Sequence, residues 1–386
     1  MPLSESRTVS ETASNLTDSN ETRLRATPLH ALHRELGGRL VPFAGYEMPV
    51  QFPAGIIAEH QQTRTAAGLF DVSHMGQVTV TGPGATAALE ALLPSDLEGL
   101  APGCARYSFF TNEAGGILDD LMVTRIDDGF FLVVNGACKA ADLAHLETQL
   151  DGKAEVRMDD SLGLLALQGP AAAAVLARLV PEAAGMPFMT SITAEIEGIP
   201  CRIGRSGYTG EDGYEISAPG ESTEALARRL LEAPEVAPIG LGARDSLRLE
   251  AGLCLYGQDI DETTTPIEAG LLWAIQKRRR AEGGFPGAAV IQRQIEEKPA
   301  RRRVGLSPEG RAPVREGTVL ADAAGEPVGR VTSGGFGPSV GAPVAMGYVA
   351  AELAAPDSAV TALVRGREVP CRVAKLPFAP HNYFRG

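Results

Sequence analysis

Two adjacent carboxylates sit inside an otherwise apolar run, Gly115-Gly-Ile-Leu-Asp-Asp-Leu-Met-Val123. If the run is a strand, its side chains alternate, so Ile117, Asp119, Leu121 and Val123 share one face and Leu118, Asp120 and Met122 the other. Each face then carries one carboxylate among apolar neighbours. Both faces cannot easily meet water, so at least one Asp is expected in a partly buried cavity, where desolvation and hydrogen bonding tune its proton affinity. A turn at Asp127-Asp128-Gly129 and a companion strand Phe130 to Val134 lead to Asn135. Its amide can orient such a carboxylate, or it is a turn residue at a strand end. In the run Arg205 to Glu215, Asp212-Gly213 reads as a tight hairpin turn with Glu211 and Asp212 as loop-tip charges. Glu215 enters the return strand beside Tyr214, where it either faces solvent or accepts parallel N–H bonds from a planar heterocycle. Gly240 to Glu250 has helical spacing, with Arg244 and Arg248 on one face and Asp245 placed to pair with Arg248. His74, in Phe70-Asp-Val-Ser-His-Met-Gly76, is a possible base that lacks an evident partner.

The elements that must position these groups are mixed. Alternating Gln77 to Thr81 and the apolar Phe130 to Val134 read as strands, and Ser222 to Glu232 as an amphipathic helix. A strand ending at Gly82-Pro83 before a helix with Ala88, Leu89, Ala91, Leu92 and Leu93 is echoed by Leu164 to Gln168, Gly169-Pro170 and a helix from Ala171 to Val180. The fold class is therefore α+β, with a duplicated α/β body. From about residue 300, short strands broken by Gly and Pro (Glu316 to Leu320, Gly329 to Ser333, Val344 to Val349, Ala359 to Val364) predict a small C-terminal antiparallel β-barrel. The expected division is a disordered, Ser/Thr/Glu-rich tail over 1–26, a body over 27–299 and the barrel over 300–386.

Composition narrows the chemistry. The 386 residues include 35 Lys and Arg against 48 Asp and Glu, a net charge of −13 that opposes nucleic-acid binding by counterion release. No apolar run approaches a spanning helix, so no membrane partner is expected. Five scattered cysteines without a C-x-x-C pair argue against both a disulfide framework and a zinc site, and no metal is expected. The tail lacks the apolar stretch of a signal peptide and the acid-poor composition of a transit peptide, which makes the cytoplasm the expected location. Dinucleotide-fingerprint glycines, a Walker loop, G-x-S-x-G and H-E-x-x-H are all missing. One basic belt, residues 271–303 with 9 basic and 3 acidic side chains, interrupts the acidic chain. It is either a solvated linker or a docking patch for an acidic partner.

Taken in order, Thr27-Pro-Leu-His30, Phe43-Ala-Gly-Tyr-Glu-Met-Pro49, Phe70 to Gly76, Gly115 to Leu121, Ser206 to Glu215, Gly240 to Asp245, Leu255-Tyr-Gly-Gln-Asp259 and Asn382-Tyr383 resemble the aminomethyltransferase (T-protein) family of the glycine cleavage system. The resemblance covers residues 27–386. It implies a folate-binding body and transfer of a methylene from an aminomethyl group on the lipoyl arm of a carrier, the H-protein, to tetrahydrofolate, with release of ammonia. It also implies Asp120 as the catalytic group that orients and polarises the folate nitrogens, with Asp119 on the other face as a control. Glu215 would grip the pterin and Arg244 the folate, Tyr383 would contact substrate, and Tyr208, Asn135 and Met75 would line the pocket. The basic belt would steer the carrier. A folate-dependent demethylase and a non-catalytic folate-binding accessory protein are the alternatives. Tyr46 stands where the family often has Trp, and Gly284-Phe-Pro-Gly287 replaces a usual aromatic-Ile-Gly pattern.

Overall fold

A computed structural model describes residues 24–386. The tail expected over 1–26 falls mainly on residues 1–23, outside the described residues. Arg25 is already bound to the body: its amide donates to the Gly45 carbonyl and its carbonyl accepts from Glu47, each at 2.9 Å.

The strand alternation expected around the two aspartates builds a layered body. One sheet has five strands in the order Ala105–Thr111, Ile117–Ile126, Gly129–Val134, Gly76–Thr81, Glu155–Met158. The other has six, in the order Ser191–Ile196, Ile199–Gly204, Gly213–Pro219, Leu162–Gln168, Ala67–Asp71, Val236–Ile239. Period-two alternation sends each strand's two faces to different cores. Leu121 and Val123 pack with Leu146 and Leu150 of the helix Lys139–Leu150, whereas Met122 packs with Phe131, Val133, Leu164 and Ala166 between the two sheets. On the six-stranded sheet, Leu165 and Leu167 face Leu226 and Leu230 of the helix Gly220–Leu231. The sequence is therefore helices, sheet, shared core, sheet, helices. The Gly-Pro junctions occur once per sheet, and their helices are shorter than expected, Ala85–Glu90 and Ala172–Ala177.

From Arg301 onward six antiparallel strands close into a barrel: Arg301–Pro308, Ala342–Ala350, Pro327–Gly337, Val319–Ala321, Ala359–Val364, Arg367–Ala374. Closure leaves no free sheet edge. The barrel is fastened to the body through Arg248, which donates from the helix Leu241–Glu250 to Ser333 at 3.0 Å and to Asp259 at 2.7 Å. Its bond to Asp245 is also made, at 2.8 Å, so the ion pair expected from sequence is one part of a larger buried node.

Candidate functional site

Backbone contact fixes the start of the strand that carries the aspartates. A Cβ on Gly116 would lie 1.8 Å from the carbonyl of Glu262, so only glycine lets the loop press against this turn. The strand then pairs Phe109 with Asp120 and Tyr107 with Met122. Tyr107 is thus the diagonal neighbour of Asp120, within reach of a long side chain. Its hydroxyl donates to Asp120 Oδ2 at 2.9 Å. Tyr107 in turn stacks on Trp273 at 5.4 Å between centroids.

Asn135 ends the neighbouring strand and holds both carboxylates. Its Nδ2 donates to Asp119 Oδ1 and to Asp120 Oδ1, each at 2.8 Å, and its backbone N–H donates to Asp119 Oδ2 at 3.1 Å. Asn135 is placed to orient both carboxylates, so Asp119 is not an independent control. Asp119 faces the helix Lys139–Leu150 as alternation requires, yet shares its amide donor with Asp120. Burial, followed by the charge of Asp119, pushes Asp120 up to about 7, against the pull of the Tyr107 and Asn135 bonds.

Behind Asp119 stands a carboxylate that sequence reasoning did not single out. Asp142, in the first turn of the helix Lys139–Leu150, lies within hydrogen-bonding reach of Asp119, and both are buried. Burial pushes Asp142 up first, and the neighbouring Asp119 charge adds to it. The helix N-terminal field favours an anion by about 0.3–1 kcal/mol. Two contacting carboxylates repel by about 4 kcal/mol at 4 Å in a partly screened interior, so repulsion wins and the pair holds a proton.

Across the shared core, Ser217 and Glu215 of the strand Gly213–Pro219, with Ser206, Arg202, Met122, Val133 and others, line a narrow cleft. Met122, at the cleft wall, shares the face of its strand with Asp120, which does not itself line the cleft. Ser206 Oγ donates to Glu215 Oε2 at 2.7 Å, which leaves lone pairs of this acceptor-only carboxylate for a ligand. Arg244 lies 4.7 Å above the Tyr208 ring, and its charge acts on both Tyr208 and Glu215. Tyr208 donates to the carbonyl of Cys254 and also feels the charge of Asp120. Asp120, Asn135, Tyr208, Arg244 and Glu215 therefore belong to one neighbourhood. Met75 packs into the core between the sheets rather than bonding to these groups. Tyr383 stacks on Phe188 at 4.0 Å between centroids, next in sequence to Met189 and Thr190 of the cleft wall.

Two sequence expectations need correction. Glu211 and Asp212 are not loop-tip charges: Glu211 pairs with Arg64 at 2.8 Å and Asp212 with the buried Arg205. The positive φ belongs to Gly210, at 80°, not to an Asp-Gly turn. Among the described residues His74 Nδ1 is buried without a hydrogen-bond partner, and burial followed by the Arg244 charge pushes the ring down to about 4, so it is neutral at pH 7. Part of the basic belt is spent internally. Arg278 bonds Asp96 at 2.6 Å and Glu282 at 2.8 Å, and Arg280 donates to the carbonyls of Ile275 and Leu272. Arg279 is buried, Arg301 pairs with Glu268 at 3.1 Å, and Arg303 donates to the Ala269 and Gly252 carbonyls. Lys277, Arg293, Lys298 and Arg302 are exposed and make no ion pair among the described residues, so part of the belt stays at the surface and both of its readings stand. Among the described residues no cluster of His, Cys, Asp and Glu is arranged to hold a metal ion.

Residues 29–279 match the model of the GCVT N-terminal domain, and residues 301–379 match that of the glycine cleavage T-protein C-terminal barrel domain. The chain belongs to the aminomethyltransferase, or T-protein, family of the glycine cleavage system. The aminomethyltransferase of Gallus gallus is 48% identical over 372 residues, covering 94% of each chain, and that of Dictyostelium discoideum is 42% identical over 383 residues, covering 95% of each. The crystal structure of the glycine cleavage system aminomethyltransferase T from Bartonella henselae superposes with a TM-score of 0.90 at 45% identity, covering 94% of this chain and 99% of that one. The activity is that of a transferase of the glycine cleavage system, with tetrahydrofolate as a substrate of the T-protein family, and not that of a demethylase or accessory protein. The cytoplasmic expectation does not stand, because the Gallus gallus and Dictyostelium discoideum relatives are both named mitochondrial.

Proposed function

We propose that Asp120 is the proton-handling group of the transfer, that Glu215 and Arg244 hold the folate, and that a lipoyl-bearing H-protein delivers the aminomethyl group. The observation that carries this reading is Asp120, raised to about 7, on the same strand face as Met122 of the Glu215-lined cleft. The chemistry needs a group that both takes and gives protons. Two folate N–H groups bond to the methylene carbon and lose their protons; the C–S and C–N bonds of the aminomethyl thioether break, and the sulfur and the nitrogen each gain one proton, giving a thiol and ammonia. No electron changes hands between reactants. A carboxylate titrating near neutrality suits this traffic because neither transfer is strongly uphill. Tyr107 and Asn135 fix its two oxygens, so its position relative to the nucleophile is set before substrate arrives. Tyr383, Tyr208 and Met75 complete the walls of the folate site in this reading. The direct test is turnover of aminomethylated H-protein with tetrahydrofolate, read as ammonia; no ammonia above the uncatalysed rate would reject it.

Glu215→Gln tests the folate grip separately. An amide replaces an acceptor by a donor and leaves a pterin N–H unpaired, at a cost of about 1–3 kcal/mol. Titration calorimetry with tetrahydrofolate should show affinity weakened by about 5- to 150-fold. Unchanged affinity would assign Glu215 to its bond with Ser206 alone.

A further inference from the structure

We infer that Asp142 is a positioning residue of the transfer site: as a neutral carboxylic acid it donates its proton to Asp119 and so keeps Asp119 as the ionised anchor on which Asn135, and through it Asp120, is aligned. The inference rests on the role of Asp120 given above.

Counting donors around the three carboxylates leads to this assignment. Asp120 receives Tyr107 O–H and Asn135 Nδ2–H. Asp119, fully buried, receives two N–H groups from Asn135 and the thiol of Cys138. Asp142 is 4% exposed, and its Oδ2 has no hydrogen-bond partner among the described residues. A buried carboxylate oxygen without a donor is costly if charged. Nor, among the described residues, does a cation face the group. From the strand it meets Asp119 and Asp120; from the start of its own helix, Cys138; the hydroxyl of Tyr256 also lies near the cluster. Lys139 is turned away to Tyr46 Oη at 2.6 Å and to Asp160 at 3.0 Å. His145 packs edge-on against Phe110, and burial holds it down, so it is neutral. One of the two touching acids must therefore carry a proton. Burial pushes both acids up, but only Asp119 has donors that pull it back, from Asn135 and Cys138, which leaves the proton on Asp142.

A purely packing role would leave the site chemistry untouched, and two measurements separate the alternatives. Asp142→Ala should lower kcat about tenfold or more while KM for tetrahydrofolate stays within about twofold. Asp142→Asn, whose amide N–H replaces the acid O–H, should recover turnover to within about threefold of wild type. At pH 8, a wild-type-minus-Asp142→Asn infrared difference spectrum should contain the carbonyl stretch of an un-ionised, buried carboxylic acid. Absence of that band, or an Asn variant as slow as the Ala variant, overturns the inference. Where Asp142→Ala does not fold, the Asn variant and the infrared band decide alone. The band is independent of what Asp120 does. Should Asp120→Asn keep full turnover while the band is present, the transfer role of Asp120 fails and the protonated pair stands.

Discussion

Asp120→Asn is expected to lower kcat by about a hundred- to ten-thousand-fold, the range for losing a positioned acid–base group, with tetrahydrofolate affinity changed much less. The amide keeps the size of the side chain and can still accept from Tyr107, so the loss isolates proton handling from shape. The same group predicts the pH dependence. Asp120 is raised to about 7, and it must be ionised to accept a folate proton. The ratio kcat/KM, which reports the free enzyme, should therefore rise about tenfold per pH unit below 7 and level off above it. Asp120→Asn should abolish that limb in what activity remains. Asp119→Asn should also cost activity, because Asn135 then loses a charged acceptor and with it the alignment of Asp120. Stopped assays of ammonia release between pH 5.5 and 8.5 check each point; a variant Asp120→Asn with wild-type kcat would remove this carboxylate from the chemistry.

Arg248→Met should have the largest effect on folding. Arg248 is 2% exposed and donates to Asp245, Asp259 and Ser333, and the Asp259 side chain is itself fully buried. Removing the guanidinium leaves the Asp259 charge inside with neutral donors alone: Thr332 and Ser333 hydroxyls and the Leu255 N–H. Breaking a buried pair in this way costs about 3–5 kcal/mol, whereas deleting both partners is much less harmful. Urea unfolding should show the single variant strongly destabilised and Arg248→Met/Asp259→Asn partly restored. A loss below about 1 kcal/mol would mean that water reaches Asp259. Because Thr332 and Ser333 belong to the barrel, the destabilised variant should also loosen the barrel from the body.

Much of the site was legible because its signals are local. Period-two alternation alone separates Asp119 from Asp120, and the turn at Asp127 to Gly129 places Asn135 at the end of the adjoining strand. The partners that finish the site are not local. Tyr107 reaches Asp120 through a strand register that tertiary pairing sets, and Asp142 comes from a helix 23 residues away in sequence with nothing in its own neighbourhood to mark it. Charge was the least readable property. Glu211, Asp212 and Arg278 look alike in sequence to solvated side chains, but whether a charge is free or consumed depends on partners such as Arg64, Arg205 and Asp96, which lie far away along the chain or have no register with it.

Trp273 is the chain's single tryptophan, 60% exposed, and it stacks on the ring whose hydroxyl holds Asp120. The protein thus carries its own fluorophore one residue removed from the carboxylate at the centre of the proposed transfer, at the surface where quenchers reach it. A ligand that shifts Tyr107 alters the environment of that indole directly, with no second tryptophan to dilute the signal. Occupancy of the site, and the consequences of each variant for it, can be followed by emission from the unlabelled chain in real time.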